Sequence, residues 1–423
     1  MYRIRTIVFL SLIAFLGFNL EAQPLKPRPD AFPPLDEAKS TKSIQMAATV
    51  EQMASWDRYP TYNTYIAMMQ QWASQYPDLC KLDTIGLSVK GRLILCMHIQ
   101  AHLDLPEAAN APQFLYSSTM HGDEVTGYVM MLRLIDTLLR GYGNNPQYTN
   151  LVDNVAIYIN PLSNPDGTYR GGNNTISSAM RYNANYVDLN RNYPDPFGTQ
   201  PLSAEQPENT AMIAYLGSHQ FRLSANLHGG SEVMNYPWDS FTSYERPHPD
   251  RQWWIEVSKR FVDTSRLYSQ SHFRDVNSVG YIEGGDWYVI SNGRQDYVNY
   301  YHNCHEMTME ISTDKTIDGE QLPEYWRFLQ HSFVNYIEEV FSVPATAGIE
   351  NYEETTALDV FPNPAADRIF IRGNVNAEMR LYDAHGKELP VVKTDANSIY
   401  LGDLPQGLYL LRAGTRTAKI VKR

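Results

Sequence analysis

Hydrophobic and polar positions along the chain alternate between two periods. From Thr61 to Gln75 apolar residues recur at helical spacing, and Tyr76-Pro77 closes the run. Two short runs, Lys81–Ile85 and Leu93–Ile99, read as strands joined through Ser88-Val89-Lys90-Gly91-Arg92 and predict a hairpin. A short apolar strand, Phe114-Leu115-Tyr116, then leads into Thr119-Met120-His121-Gly122-Asp123-Glu124. The next segment, Val125–Arg140, places Tyr128, Met131, Leu132, Ile135 and Leu139 on one helical face, and Gly141 stops it. Strands follow at Val155–Ile159 and Leu223–Leu227, with helices over about 252–265 and 322–340. Helices alternating with short apolar strands predict an α/β domain with a mixed, largely parallel sheet flanked by helices. Polar residues collect just past the strand ends, where open α/β sheets bind their ligands.

At about residue 343 the pattern changes. Ser342 to Thr356 is polar, and short strands then alternate with turns: Asp359–Phe361, Arg368–Arg372, Met379–Tyr382 and Gly407–Arg412. This predicts a small all-β, sandwich-like C-terminal domain. The N-terminus differs again. Arg3 and Arg5 precede an apolar run of 12 residues, Ile7 to Phe18, and Leu20-Glu21-Ala22 offers a cleavage point. The run is too short to span a bilayer and predicts a secretory signal peptide. The organisation expected is therefore a signal peptide at 1–22 and a coreless Pro-rich arm at 23–53. An α/β domain at 54–342, a linker at 343–356 and a β domain at 357–423 would follow. No transmembrane segment is expected.

Composition narrows the function classes. A hydrophobic fraction of 43% and a charged fraction of 19% suit a folded protein, and a formal charge of −12 argues against nucleic-acid binding. Three cysteines, Cys80, Cys96 and Cys304, sit in a chain expected to be exported. A Cys80–Cys96 bridge across the hairpin is compatible with that compartment, and its geometry decides. Cys304 has no nucleophile motif around it and reads as buried.

The chemistry gathers at strand ends. His121 and Glu124, at a strand-to-helix turn, can both reach one metal ion, and imidazole nitrogen with carboxylate oxygen suits Zn²⁺. Alone this four-residue pattern is weak evidence. His228 ends a later strand in Asn226-Leu227-His228-Gly229-Gly230, 104 residues after Glu124. Around these lie Asn164-Pro165-Asp166-Gly167, Arg181-Tyr182-Asn183-Ala184 and Val187-Asp188-Leu189-Asn190-Arg191-Asn192. Gln295-Asp296-Tyr297 and Glu306-Met307-Thr308-Met309-Glu310-Ile311 complete the set.

In this order the motifs resemble the zinc carboxypeptidase family, nearest its regulatory carboxypeptidase D/E/N branch, over about residues 56–313. The resemblance implies one zinc per catalytic domain held by His121, Glu124 and His228, with Asp188 orienting His121. It implies Glu310 as the base for a zinc-activated water and Arg181 as the group that polarises the scissile carbonyl. Glu306, four residues earlier on the same strand face, is the rival base. Asn190 and Arg191 would grip the free C-terminal carboxylate, a task suited to a planar guanidinium. Tyr297 would close over the substrate terminus. Asp239, 11 residues after His228, would pair with a C-terminal Lys or Arg side chain. Asp123 stands where the digestive branch has arginine, so that arginine's substrate contacts do not carry over.

The tail reads Val360-Phe361-Pro362-Asn363-Pro364-Ala365, Tyr382-Asp383-Ala384-His385-Gly386 and Leu404-Pro405-Gln406-Gly407-Leu408-Tyr409. It resembles the C-terminal sorting domain of type IX secretion, which implies export through the periplasm to the outer-membrane surface or beyond. The expected partners are peptide or protein C-termini and the type IX machinery. Two other readings keep the fold: a carboxypeptidase of peptidoglycan stem peptides, and a zinc- or peptide-binding surface protein without turnover. The second should have lost Glu310 or Arg181, and both are present.

Overall fold

The computed structural model describes residues 44–344, apart from 104–105, 199 and 201, and residues 358–423, apart from 359, 372–378, 384–386, 396–397 and 414–415. The expected signal peptide, most of the Pro-rich arm, nearly all of the linker and the His385-Gly386 turn lie outside the described residues.

Eight strands form the central sheet: β1 Cys80–Leu87, β2 Leu93–Ile99, β3 Gln113–Ser118, β4 Ala156–Asn160, β5 Phe221–His228, β6 Ser231–Tyr236, β7 Tyr281–Glu283 and β8 His305–Ser312. Their spatial order is β1-β2-β4-β3-β5-β8-β6-β7. The four middle strands, β4, β3, β5 and β8, run parallel, while β1, β2 and β6 add antiparallel pairings. The mixed α/β architecture expected from the sequence is the one observed.

Five helices cover one face: α1 Tyr62–Gln75, α2 Thr126–Gly141, α3 Pro146–Asn154, α5 Arg251–Arg266 and α7 Leu322–Glu338. Thr61 caps α1 by accepting from the Thr64 amide, which satisfies one of the unpaired donors of the first turn. Side chains two residues apart share a face of a strand, so Leu95, Met97 and Ile99 meet Phe114, Tyr116, Ile157, Ile159, Leu223, Ala225, Met307 and Met309 in the main core. The second face is covered by α4 Pro207–Gly217 and α6 Arg294–Tyr301, with a smaller apolar cluster around Leu115, Tyr158, Tyr193, Met212 and Tyr297. On that face β5 carries Ser224, Asn226 and His228, and β8 carries Glu306, Thr308 and Glu310, all buried. This polar lane ends at the carboxyl ends of the strands.

Three expectations change. Residues 44–53 are not a coreless arm: Met46–Ala47 pairs with Tyr59–Pro60, and Ala47 and Met53 are buried in the main core. Ile44, Met46 and Val50 pack against the same core, so apolar residues scattered among polar ones tie this segment to the domain. Cys80 and Cys96 form no bridge, and all three cysteines are free and buried. In the hairpin Cys80 lies opposite Ile99 and Cys96 opposite Asp83, three positions along, so the two thiols point to opposite faces of the sheet. The helices α3, α4 and α6 were not foreseen.

The C-terminal domain consists of β9 Val360–Phe361, β10 Arg368–Ile371, β11 Met379–Asp383, β12 Glu388–Leu389, β13 Val392–Asp395, β14 Ser398–Tyr400, β15 Gly407–Ala413 and β16 Arg416–Lys422. They form two four-stranded antiparallel sheets, β9-β10-β14-β13 and β12-β11-β15-β16, around Ile369, Ile371, Leu381, Ile399, Leu411 and Ile420. Among the described residues no helix is long and apolar enough to cross a membrane.

Candidate active site

The turn between β3 and α2 is built to turn its ligands inward. Thr119 adopts a left-handed conformation (φ 60°), which is uncommon for a β-branched residue, and its hydroxyl donates to the Glu124 carbonyl at 3.1 Å. Gly122 is required by close packing, because a Cβ there would stand 2.4 Å from the Gly167 carbonyl carbon. The Gly122 amide donates to the Arg181 carbonyl and the Thr168 hydroxyl donates to the Gly122 carbonyl, which ties the turn to the loops that follow β4.

His121, Glu124 and His228 converge. Glu124 Oε2 lies 2.9 Å from His121 Nδ1 and 2.8 Å from His228 Nδ1, and the two Nδ1 atoms are 3.0 Å apart. Their ligating atoms lie within 4.8 Å of one another, and all three residues are buried. His121 Nε2 lies 3.2 Å from Asp188 Oδ1; donation along that contact leaves Nδ1 as the lone-pair nitrogen facing the cluster. Two inward imidazole nitrogens around one carboxylate oxygen fit Zn²⁺ in both donor type and number, with room for a further ligand. Although burial opposes it, the imidazoles of His121 and His228 hold the Glu124 carboxyl well below its ordinary range.

Asp188 has a second task. Its Oδ2 accepts from Arg181 Nε at 2.9 Å and its Oδ1 accepts from the Asn190 amide at 2.9 Å, so one carboxylate holds His121, Arg181 and the main chain at Asn190. Burial works against ionisation here, but His121, by charge and hydrogen bond, and the two arginines Arg181 and Arg191 hold Asp188 far below the usual carboxylate range. Arg181 thereby lies 3.1 Å from His121 Nδ1 through one guanidinium nitrogen, at the edge of the His121–Glu124–His228 cluster.

A cavity opens beside the three ligands and is lined by Arg181, Asn190, Arg191, Asp239, Tyr288, Thr308 and Glu310 among others. Glu310 Oε2 is buried without a hydrogen-bond partner among the described residues. Burial, reinforced by the charge of Glu124, pushes its carboxyl well above the ordinary range. The rival Glu306 is committed elsewhere: it forms a fully buried ion pair with Arg294 and accepts from Ser224 and Asn226. Asp239 also lines the cavity, with its carboxyl pushed well above its usual range by burial and then by the charge of Asp296.

Tyr297 does not reach this cavity. Its ring packs on Tyr193 and Tyr301 in the second cluster, and its hydroxyl meets His302 Nε2 at 3.1 Å. Helix α6 turns it inward, and Tyr288, on the preceding loop and 37% exposed, stands at the cavity instead. Tyr288, Thr308 and the Gln295–Asp296 pair were missed as cavity-building residues; the Gln295-Asp296-Tyr297 motif was visible, but not which of its side chains faces the site.

A buried donor set of this kind, opening on a cavity rather than sealed in the core, is that of a metallohydrolase. Residues 65–333 match the family model described as zinc carboxypeptidase, and residues 359–423 match one described as a secretion system C-terminal sorting domain. The chain belongs to the zinc carboxypeptidase family. It is 32% identical over 365 residues to carboxypeptidase D of Anas platyrhynchos, an alignment covering 80% of this chain and 26% of that protein. It is 33% identical over 324 residues to the carboxypeptidase N catalytic chain of Homo sapiens, covering 67% of this chain and 69% of the relative. The chain thus spans about a quarter of the length of the first relative. In fold it is similar to carboxypeptidase A from Helicoverpa armigera, with a TM-score of 0.59, 18% identity and coverage of 71% of this chain and 77% of the other.

Proposed function

We propose that this chain is an exported zinc exopeptidase that removes a C-terminal Lys or Arg from peptides or proteins. The observation that carries the reading is the cavity itself, which brings His121 and His228 together with Asn190, Arg191 and a buried acid, Asp239. A zinc ion held by His121, Glu124 and His228 would supply Lewis acidity and make water a nucleophile near neutral pH. Glu310, with its raised carboxyl, takes the proton of the attacking water and returns it to the leaving amine. Arg181, held by Asp188, faces the negative charge that develops on the scissile carbonyl oxygen. Asn190 and Arg191 bind the terminal carboxylate, and Tyr288 covers it from the mouth of the cavity.

Asp239 sets the preference. Burial and then Asp296 push the Asp239 carboxyl well above its usual range, and the cation of a bound Lys or Arg side chain would offset both. The catalytic unit begins at about residue 44 and ends near 343. The tail directs the chain to the type IX secretion machinery, through the periplasm to the outer-membrane surface or the medium. Product analysis on peptides ending in Arg, Lys and Phe tests the activity: release of single C-terminal basic residues is expected, dependent on zinc. Equal rates on Arg- and Phe-ended peptides would remove the basic preference while leaving the family assignment intact.

A further inference from the structure

Helix α6 holds the cavity wall through three consecutive residues. The Arg294 amide donates to Asn190 Oδ1 at 2.9 Å, and Gln295 Nε2 donates to Asp239 Oδ1 at 2.9 Å. Asp296 accepts from two main-chain amides, Asp239 N at 2.8 Å and Ser240 N at 2.9 Å, one on each carboxylate oxygen. The helix cannot shift easily. Arg294 and Glu306, both almost fully buried, form an ion pair between α6 and β8, and Arg294 also donates to the Ser117 hydroxyl. Gln295 Oε1 accepts from the Thr308 amide at 2.7 Å, which leaves its Nε2 to face Asp239.

We propose that Asp296 is the positioning residue for basic specificity: its carboxylate fixes the main chain at 239–240 so that Asp239 presents its remaining oxygen to the substrate's cationic side chain. The inference rests on the reading of Asp239 given above. Its physical core is the pairing of two parallel N–H donors with the two oxygens of one carboxylate. An amide of the same shape has one acceptor and one donor, so it would set an NH₂ group against a main-chain N–H. Asp296 is 1% exposed and lies behind Asp239, so it acts through that loop and does not touch substrate. Gln295 occupies Oδ1 of Asp239 from the same helix, which leaves Oδ2 as the recognition oxygen. The helix thereby sets both where the acid stands and which of its oxygens is available.

The test uses the full zinc-loaded chain and peptides ending in Arg and in Phe, comparing wild type, Asp296→Asn, Asp239→Asn and the double variant. Leaving one main-chain N–H unpaired should raise KM for the Arg-ended peptide by about tenfold or more in Asp296→Asn, with kcat within about threefold. The loss of kcat/KM on the Phe-ended peptide should be at least about tenfold smaller than on the Arg-ended one. The double variant should be no worse on Arg ends than Asp239→Asn alone, because both changes disable one contact. If Asp296→Asn does not fold, as judged by circular dichroism and zinc content, Asp296→Glu serves: it keeps two acceptors but displaces them, and the same selective rise in KM is expected. A wild-type KM for Arg ends in the variant, or equal losses on both peptides, would overturn the proposal. Absence of any basic preference in the wild type would instead overturn the reading of Asp239.

Discussion

A Cβ atom on Gly284 would stand 1.9 Å from Oδ1 of Asp239, and 2.6 Å from Oδ1 of Asn235. The acid at the cavity wall therefore occupies space that only glycine leaves free. Gly284→Ala should push Asp239 out of place, raising KM for Arg-ended peptides by about tenfold or more, and overpacking should cost about 1–3 kcal/mol of stability. Steady-state kinetics with a thermal melt checks both; unchanged KM would show that Asp239 adapts.

Asp188 joins His121, Arg181 and the Asn190 amide on one carboxylate. Asp188→Asn keeps the shape but loses the charge and one acceptor. Zinc affinity should fall by about 10- to 100-fold, as it does when a partner orienting a metal-bound histidine is lost. Competition against a chelator of known affinity measures this. Undiminished affinity would mean that Asp188 serves Arg181 alone.

Glu310 is buried, has an oxygen without a partner among the described residues and lines the same cavity as His121 and His228. Glu310→Gln should retain zinc and lower kcat by about 10²- to 10⁴-fold, the range of a positioned general base. Metal analysis and kinetics on one sample separate the two effects. Wild-type turnover in this variant would refute the mechanism.

His248 offers a pH dependence away from the metal. Burial, then the charge of His305, lowers it from the ordinary 6.5 to about 3, and its Nδ1 accepts from the Asp250 amide. The folded imidazole stays neutral while the unfolded chain takes up a proton below about pH 6.5. The unfolded state thus binds more protons between those values, and stability falls as pH drops. Between pH 6.5 and about 4.5 this one group should cost about 2–3 kcal/mol. His248→Gln, though less stable at neutral pH, should show a shallower decline in melting temperature over that window. Parallel declines in both proteins would assign the acid sensitivity to other groups.

Much of the site was legible because its residues sit at strand ends, where an apolar run stops abruptly at a polar motif. His121, Glu124 and His228 follow that rule, Glu310 stands inside β8 as a charge in an apolar run, and the helical spacing from Thr61 announced α1. What escaped depended on rotation and register. Tyr297 and Tyr288 lie nine residues apart, and which one faces the cavity is set by α6, whose first turn is committed to Asn190 and Asp239. No local pattern reports that commitment. Glu306 and Glu310 look alike on one strand until Arg294 arrives from α6 to neutralise the first. The Cys80–Cys96 pair failed for a related reason: hairpin proximity was visible, but the register that sends the two thiols to opposite faces was not.

Those three separated, buried thiols also bear on how the chain is made. Nothing in the fold waits for an oxidant. The sheet, its polar lane on β5 and β8, and the apolar layers contain no disulfide, so none of their contacts depends on thiol oxidation. Redox conditions along the route, which govern the maturation of many exported proteins, have no covalent step to control here.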